Sequence, residues 1–231
     1  MKAPSARGLF RATGKTARPV AVRDEETGEY AKVAERPRKK DGFEPTPAEA
    51  TEAFCAAEID RLRGRKIWEP AAGDGAMLRV FAAFGLDVVA SDLVDRGCGA
   101  TVRSFFDFAA PPAHAIVTNP PFHESSWGHG KARWIGHALD RLGVDYMALL
   151  MPFNWCGAGG LGPLWSRRPP ARVYLMRWRL DFTGQGAQPA LHAWYVWDGP
   201  TAEGDTRLLM LDRVVLGQGA LFGGEPLEGG S

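Results

Sequence analysis

Cysteine is scarce. The chain of 231 residues holds three, Cys55, Cys98 and Cys156, too few and too scattered for a disulfide framework or a zinc site. Long apolar runs are missing too: nothing approaches the roughly 18 consecutive apolar residues that a membrane helix needs. The basic N-terminal stretch lacks the apolar segment of a secretory signal, and although its first 23 residues carry no acid, nothing else supports a transit peptide. No charge of one sign dominates, with 28 Lys+Arg against 27 Asp+Glu. A reducing, cytoplasmic setting is the expectation. What is present, 45% hydrophobic and 24% charged residues, is the balance of an ordinary globular protein. Collagen-like, coiled-coil and wholly disordered readings are thereby out.

The even charge hides an asymmetry. Residues 1–40 carry 11 Lys+Arg and 5 Asp+Glu, a net of +6, and the remainder a net of −5. The first 40 residues are poor in large apolar side chains and show no sustained period. Residues 1–41 therefore read as a basic, disordered arm, densest in charge at Arg36-Pro-Arg-Lys-Lys40. Such an arm is either an electrostatic tether to nucleic acid or a solvated tail. A folded domain is expected over 42–215, and a flexible Gly-rich tail over 216–231.

Within the domain, helices alternate with strands. Thr46-Pro-Ala-Glu49 has the form of a helix start, with Thr46 as cap, Pro47 at the first helical position and Glu49 closing a capping box. The helix runs to about Arg63. Strands are expected at 66–69, 87–91, 115–118, 146–151, 172–176, 190–197 and 208–211, and helices at about 76–84 and 131–142. This order implies an α/β fold: a mostly parallel seven-stranded sheet with an antiparallel edge and helices on both faces. Of the eight tryptophans, Trp68, Trp134, Trp194 and Trp197 fall in strand or helix patterns and are expected in the core.

In open parallel sheets, ligands bind beyond the carboxyl ends of the strands, and three strand ends here are polar. Glu69-Pro-Ala-Ala-Gly-Asp-Gly75 offers a carboxylate and two glycines that let backbone approach a ligand. Asp92 ends the next strand, where an acid can accept both hydroxyls of a ribose. Asn119-Pro-Pro-Phe122 follows the third. The first turn does not complete the dinucleotide fingerprint, because Leu78 stands at the third glycine position, and Asp74 would sit badly beside phosphate. A ligand with ribose and adenine but no phosphate fits better, and S-adenosylmethionine, whose cationic groups welcome a nearby carboxylate, is one.

These pieces, in the order Phe43-Glu-Pro-Thr-Pro47, Glu69–Gly75, Ser91-Asp92, Asp107-Phe108 and Asn119–Phe122, resemble the S-adenosylmethionine-dependent amino-methyltransferases. The likeness is to the DNA adenine-N6 type in its gamma arrangement, and to small phage-type enzymes. It spans 43–122 by motif. It implies a Rossmann-like methyltransferase fold and roles for individual residues. Thr46 would contact the cofactor's carboxylate; Glu69, Pro70, Gly73 and Gly75 would line its methionine portion. Asp92 would hold the ribose, Asp107 would accept from the adenine amino group, and Phe108 would lie against the ring. Asn119, Pro120, Pro121 and Phe122 would be catalytic. The physical case for Asn-Pro-Pro-Phe is direct. The lone pair of an exocyclic amine is conjugated into its base, so two acceptors, the Asn119 side-chain oxygen and the Pro120 carbonyl, draw nitrogen toward tetrahedral geometry. The prolines stiffen both, and Phe122 gives a stacking face.

The flanks point to substrate. Trp127, in a loop with Gly128 and Gly130 as hinges, covers the substrate or packs as an ordinary loop residue. Five arginines lie within Arg167–Arg179. Arg172, Arg177 and Arg179 would grip phosphate with Trp178 as a stacking surface, or form a solvated strand edge. His123, His129 and His137 lack partners at metal-ligand spacing, so no metal is expected. A base inside a duplex must be flipped out, and the 109 residues after Phe122 leave no room for a large recognition domain. Nucleic acid, DNA before RNA, is the expected partner. A protein glutamine amide and a non-catalytic nucleic-acid-binding module are the alternatives.

Overall fold

The computed structural model describes residues 21–23, 30–32, 44–121, 132–184, 186–187, 189–199 and 205–214. The chain divides into two units, Met1–Gly42 and Phe43–Ser231. In the first, β1 (Ala21–Arg23) and β2 (Tyr30–Lys32) pair antiparallel, Val22 opposite Ala31. The remainder of the expected arm, and the expected tail 216–231, lie outside the described residues.

The second unit opens with α1 (Ala48–Leu62), followed by β3 (Lys66–Glu69), α2 (Ala76–Ala83), β4 (Asp87–Asp92) and the short β5 (Thr101–Val102). A 3-10 turn at Phe105–Asp107 leads into β6 (Ala115–Thr118). Next come α3 (Arg133–Gly136), continued by a π-helical stretch at His137–Arg141, and β7 (Tyr146–Pro152). The chain then forms α4 (Gly162–Arg167), β8 (Arg172–Met176), β9 (His192–Asp198) and β10 (Arg207–Leu211). The strands build one sheet in the order β10-β8-β9-β7-β6-β3-β4-β5. All pairings are parallel except those of β9, which runs antiparallel between β7 and β8.

The mostly parallel sheet is thus present, with eight strands. The extra member, β5, is two residues long and too short to carry a hydrophobic pattern. The antiparallel strand stands third from the β10 edge. Both faces of the sheet's central strands are buried, as covered parallel sheets require. Alternate residues of the central strands enter opposite cores: Ile67, Val117, Leu150 and Trp194 pack with Phe54, Leu62 and Phe81 of α1 and α2, whereas Trp68, Ile116, Leu149 and Tyr195 pack with Trp134 and Ile135 of α3. Phe54 stacks on Trp194 with centroids 4.4 Å apart, and Phe105 on Trp134 at 4.0 Å. Trp68, Trp134, Trp194 and Trp197 are all core residues.

One local expectation is corrected. The N-cap of α1 is Pro47, and no side chain caps the helix. Pro47 therefore lies one position earlier than expected, and Thr46 is left outside the helix. A residue before proline is held toward extended backbone, so the Thr46 hydroxyl turns to another partner.

From β3 the chain proceeds outward to β4 and β5, then returns to place β6 on the other side of β3. The strand order reverses between β3 and β6. The carboxyl ends beside such a switch point are the preferred ligand position in this architecture.

Candidate active site

The two strands flanking that switch point end in Glu69 and Thr118, with Asn119 following the second. Glu69 is fully buried. Its Oε1 accepts the Thr118 hydroxyl and, at 3.1 Å, the Ala71 backbone N–H, while its Oε2 has no partner among the described residues. Burial pushes the carboxyl up to about 8, with Asp92 adding repulsion and the two donors opposing it. A buried, half-satisfied carboxyl is costly unless a donor or cation arrives.

The turn after β3 is built on glycine where it has to be. Gly73 and Gly75 have φ of 57° and 79°, in the left-handed region that suits glycine. A Cβ on Gly75 would lie 2.9 Å from the Cβ of Cys98. Cys98 also donates its thiol to the Gly73 carbonyl at 3.3 Å. Asp92 ties the turn to β4: its Oδ2 accepts the Gly73 N–H at 2.7 Å and its Oδ1 the Val94 N–H at 2.9 Å. Carboxylate oxygens have lone pairs left for further donors. Beside it Leu93 is 70% exposed and Val102, opposite Asp92 in the sheet, 56%. Two large apolar side chains thus flank the acid.

Asn119 follows β6. Its Nδ2 donates to the Thr46 hydroxyl at 3.1 Å, and its Oδ1 is buried with no partner among the described residues. Thr46 is itself buried. Thr46, Glu69, Gly73, Asp92 and Asn119 thus all lie at the carboxyl edge, linked through turn and strand-end hydrogen bonds. Pro70 and Pro120 are buried beside them and Pro121 is half-buried. Phe122 and Trp127 lie outside the described residues.

The other expected site residues diverge. Asp107 is exposed at the end of its 3-10 turn, and its carbonyl accepts from Arg103 at 2.6 Å. Phe108 is buried, edge-on to Trp68 at 4.8 Å, with the Arg103 guanidinium 4.4 Å above its ring. Arg172 is a correction. It is buried, bound to Glu58 through Nε at 2.7 Å and Nη2 at 2.5 Å, and to Asp198 through Nη1 at 2.9 Å. As the first residue of β8 it lies at the amino edge, opposite the site, so it cannot grip a substrate phosphate there. Arg177 and Arg179 follow the carboxyl end of β8 and are exposed. Arg177 pairs with Asp212, Nε to Oδ1 at 2.8 Å. No group of His, Cys, Asp and Glu able to hold a metal occurs among the described residues.

Two partners escaped the sequence reading. Thr118, which holds Glu69, was signalled only by being a polar residue closing an apolar strand. Leu93 was signalled only by following an acid at a strand end.

The strand order, the switch point and the glycine turn define a Rossmann-like methyltransferase fold. Two solved structures share it. One is a type I restriction-modification system methyltransferase subunit from Streptococcus thermophilus, with 12% identity, a TM-score of 0.51, and 75% of this chain and 48% of that one covered. The other is a Pyrococcus horikoshii protein provisionally named an RNA methyltransferase, with 12% identity, a TM-score of 0.55, and 71% and 90% covered. This chain spans about half the length of the Streptococcus subunit. No protein-family model and no curated protein sequence matches it.

Proposed function

We propose that this protein is an S-adenosylmethionine-dependent N-methyltransferase acting on an exocyclic amino group of nucleic acid, adenine N6 of DNA foremost. The observation that carries the reading is the buried Oδ1 of Asn119 at the switch point, an acceptor without a donor among the described residues. The residues present fit the cofactor. Glu69 supplies a buried acceptor, without a donor among the described residues, for a cation, Asp92 an acid for a ribose diol, and Leu93 and Val102 apolar surface for a base. The cofactor, when bound, supplies a methyl group activated on a sulfonium.

The chain's own contribution is positioning and charge. Asn119 Oδ1 and the Pro120 carbonyl each accept one amino hydrogen and aim the nitrogen lone pair. Pro120 and Pro121 hold that turn rigid. No dedicated base is needed, because the alkylated nitrogen is strongly acidic and its spare proton passes to water. Arg177 and Arg179, at the same sheet edge, are candidates to meet phosphate.

RNA is the second reading. A Pyrococcus protein of the same fold carries the provisional name of an RNA methyltransferase, which supports that reading. A labelled-methyl assay offering DNA, RNA and protein in parallel, followed by nucleoside analysis, decides between them. Asn119→Ala should reduce transfer by about 10²–10³-fold while calorimetric cofactor binding persists. Undiminished transfer in that variant would remove Asn119 from the chemistry.

A further inference from the structure

We infer that Thr46 is a positioning residue that acts through Asn119, holding the amide nitrogen so that the oxygen is left for the substrate amine. This rests on the methyltransferase reading above and differs from a role for Thr46 in holding the cofactor.

The inference starts from an ambiguity in asparagine itself. The two ends of its side-chain amide are nearly equal in size and opposite in hydrogen bonding. With oxygen inward, Asn119 accepts an amino hydrogen. With nitrogen inward, it offers a donor to a group that also donates, and the site fails. Chain stiffness does not settle this, because the prolines restrain backbone and not the terminal torsion of Asn119. Something must engage the nitrogen on the far side.

Thr46 does so. Its Oγ1 takes the Nδ2 hydrogen at 3.1 Å, leaving Oδ1 buried without a partner among the described residues. The hydroxyl is available because α1 does not use it. Pro47 occupies the N-cap and no side chain caps the helix. The proline thus displaces a residue that would otherwise be spent on the helix end. Burial of Thr46 shields the bond from water. The bond also joins the residue just before the N-cap of α1 to the residue just after β6, 73 positions apart in the chain.

The test uses the full chain with Thr46→Val, which keeps the branched shape without the hydroxyl, and Thr46→Ser, which keeps the hydroxyl. Under saturating cofactor and acceptor, Thr46→Val should lower kcat about tenfold, the size of one lost hydrogen bond. Cofactor Kd and acceptor KM should stay within about twofold, and Thr46→Ser should restore kcat. In an Asn119→Ala background, Thr46→Val should cost nothing more in single-turnover transfer. A second readout needs no activity. In asparagine-15N-labelled protein, the Asn119 side-chain amide pair, identified by its loss in Asn119→Ala, should shift and exchange faster in Thr46→Val but not in Thr46→Ser. A weakened cofactor Kd with kcat retained, or an unchanged Asn119 amide pair in Thr46→Val, would overturn the inference. A wild-type chain inactive on every acceptor would instead sink the methyltransferase reading, with the amide resonance still reporting on Thr46.

Discussion

The backbone N–H of Gly73 donates to Oδ2 of Asp92 at 2.7 Å, so the turn after β3 and the acid ending β4 are one unit. Asp92→Ala removes the acceptor that holds the turn as well as the acid expected at the ribose. Cofactor affinity should fall by at least tenfold, and unfolding free energy by about 1–3 kcal/mol for the orphaned donors. Asp92→Asn keeps one acceptor oxygen and should retain more stability than affinity. Calorimetry and urea denaturation on the same samples separate the two. Equal losses in both would mean that Asp92 acts only on the turn.

Gly75 is constrained twice, by its φ of 79° and by the Cβ of Cys98. Gly75→Ala should destabilise the protein by about 1 kcal/mol from backbone strain alone, with the clash added. Cys98→Gly removes the clashing atom and should recover the second part but not the first. Cys98→Ala keeps that atom and should recover neither. Thermal midpoints of the three double and single variants give the answer.

Glu69 should make cofactor binding pH-dependent. Its carboxyl is pushed up to about 8 by burial, then by Asp92, so it is mostly neutral at pH 7. A bound ammonium or sulfonium favours the ionised form, and binding therefore releases a proton. Apparent affinity should rise between pH 6 and 7.5, by up to about tenfold per pH unit, and Glu69→Gln should flatten the slope. Folding has the opposite sign. The native state holds this proton more tightly than the unfolded chain, so the contribution of Glu69 to stability is lost as pH rises toward 8. Urea titrations at pH 5.5 and 8.5 should show that loss in the wild type and not in Glu69→Gln.

At the other edge, Glu58 receives Arg172, the Tyr174 hydroxyl and, at 3.0 Å, the Tyr146 hydroxyl. Burial raises its carboxyl, but the Arg172 hydrogen bond, the tyrosine hydroxyls and the Arg172 charge outweigh this, and the net shift is downward. Its contribution is present above the usual carboxylate range and lost as pH falls through the lowered value. Breaking one partner of a buried pair costs about 3–5 kcal/mol, so Glu58→Ala and Arg172→Met should each unfold at much lower urea. Both should bind nucleic acid normally while folded. A selective loss of nucleic-acid affinity in Arg172→Met would return that residue to the substrate surface.

Deleting residues 1–40 removes a net charge of +6. If the arm tethers polyanions, affinity for nucleic acid should fall most at low salt, and the dependence of log K on log salt should become shallower. An unchanged slope would make it a passive tail.

Local order and the chemistry of the strand ends could be read from the amino-acid sequence. Runs such as Ala115–Thr118 and Tyr146–Met151 are apolar on both sides and of strand length. Gly73 and Gly75 mark a turn only glycine makes well, and Asn119-Pro-Pro is stiff whatever surrounds it. Those features are short-range, set by side-chain period and backbone freedom. The partner of each polar group was decided elsewhere. Thr46 reads as a cap until Pro47 takes that position and Asn119, from β6, takes the hydroxyl. Arg172 reads as surface until Glu58, 114 residues away, draws it inside. Strand order brings Thr118 against Glu69 across 49 residues. No local pattern encodes such pairings, because they follow from which strands lie side by side, and that is a property of the whole sheet.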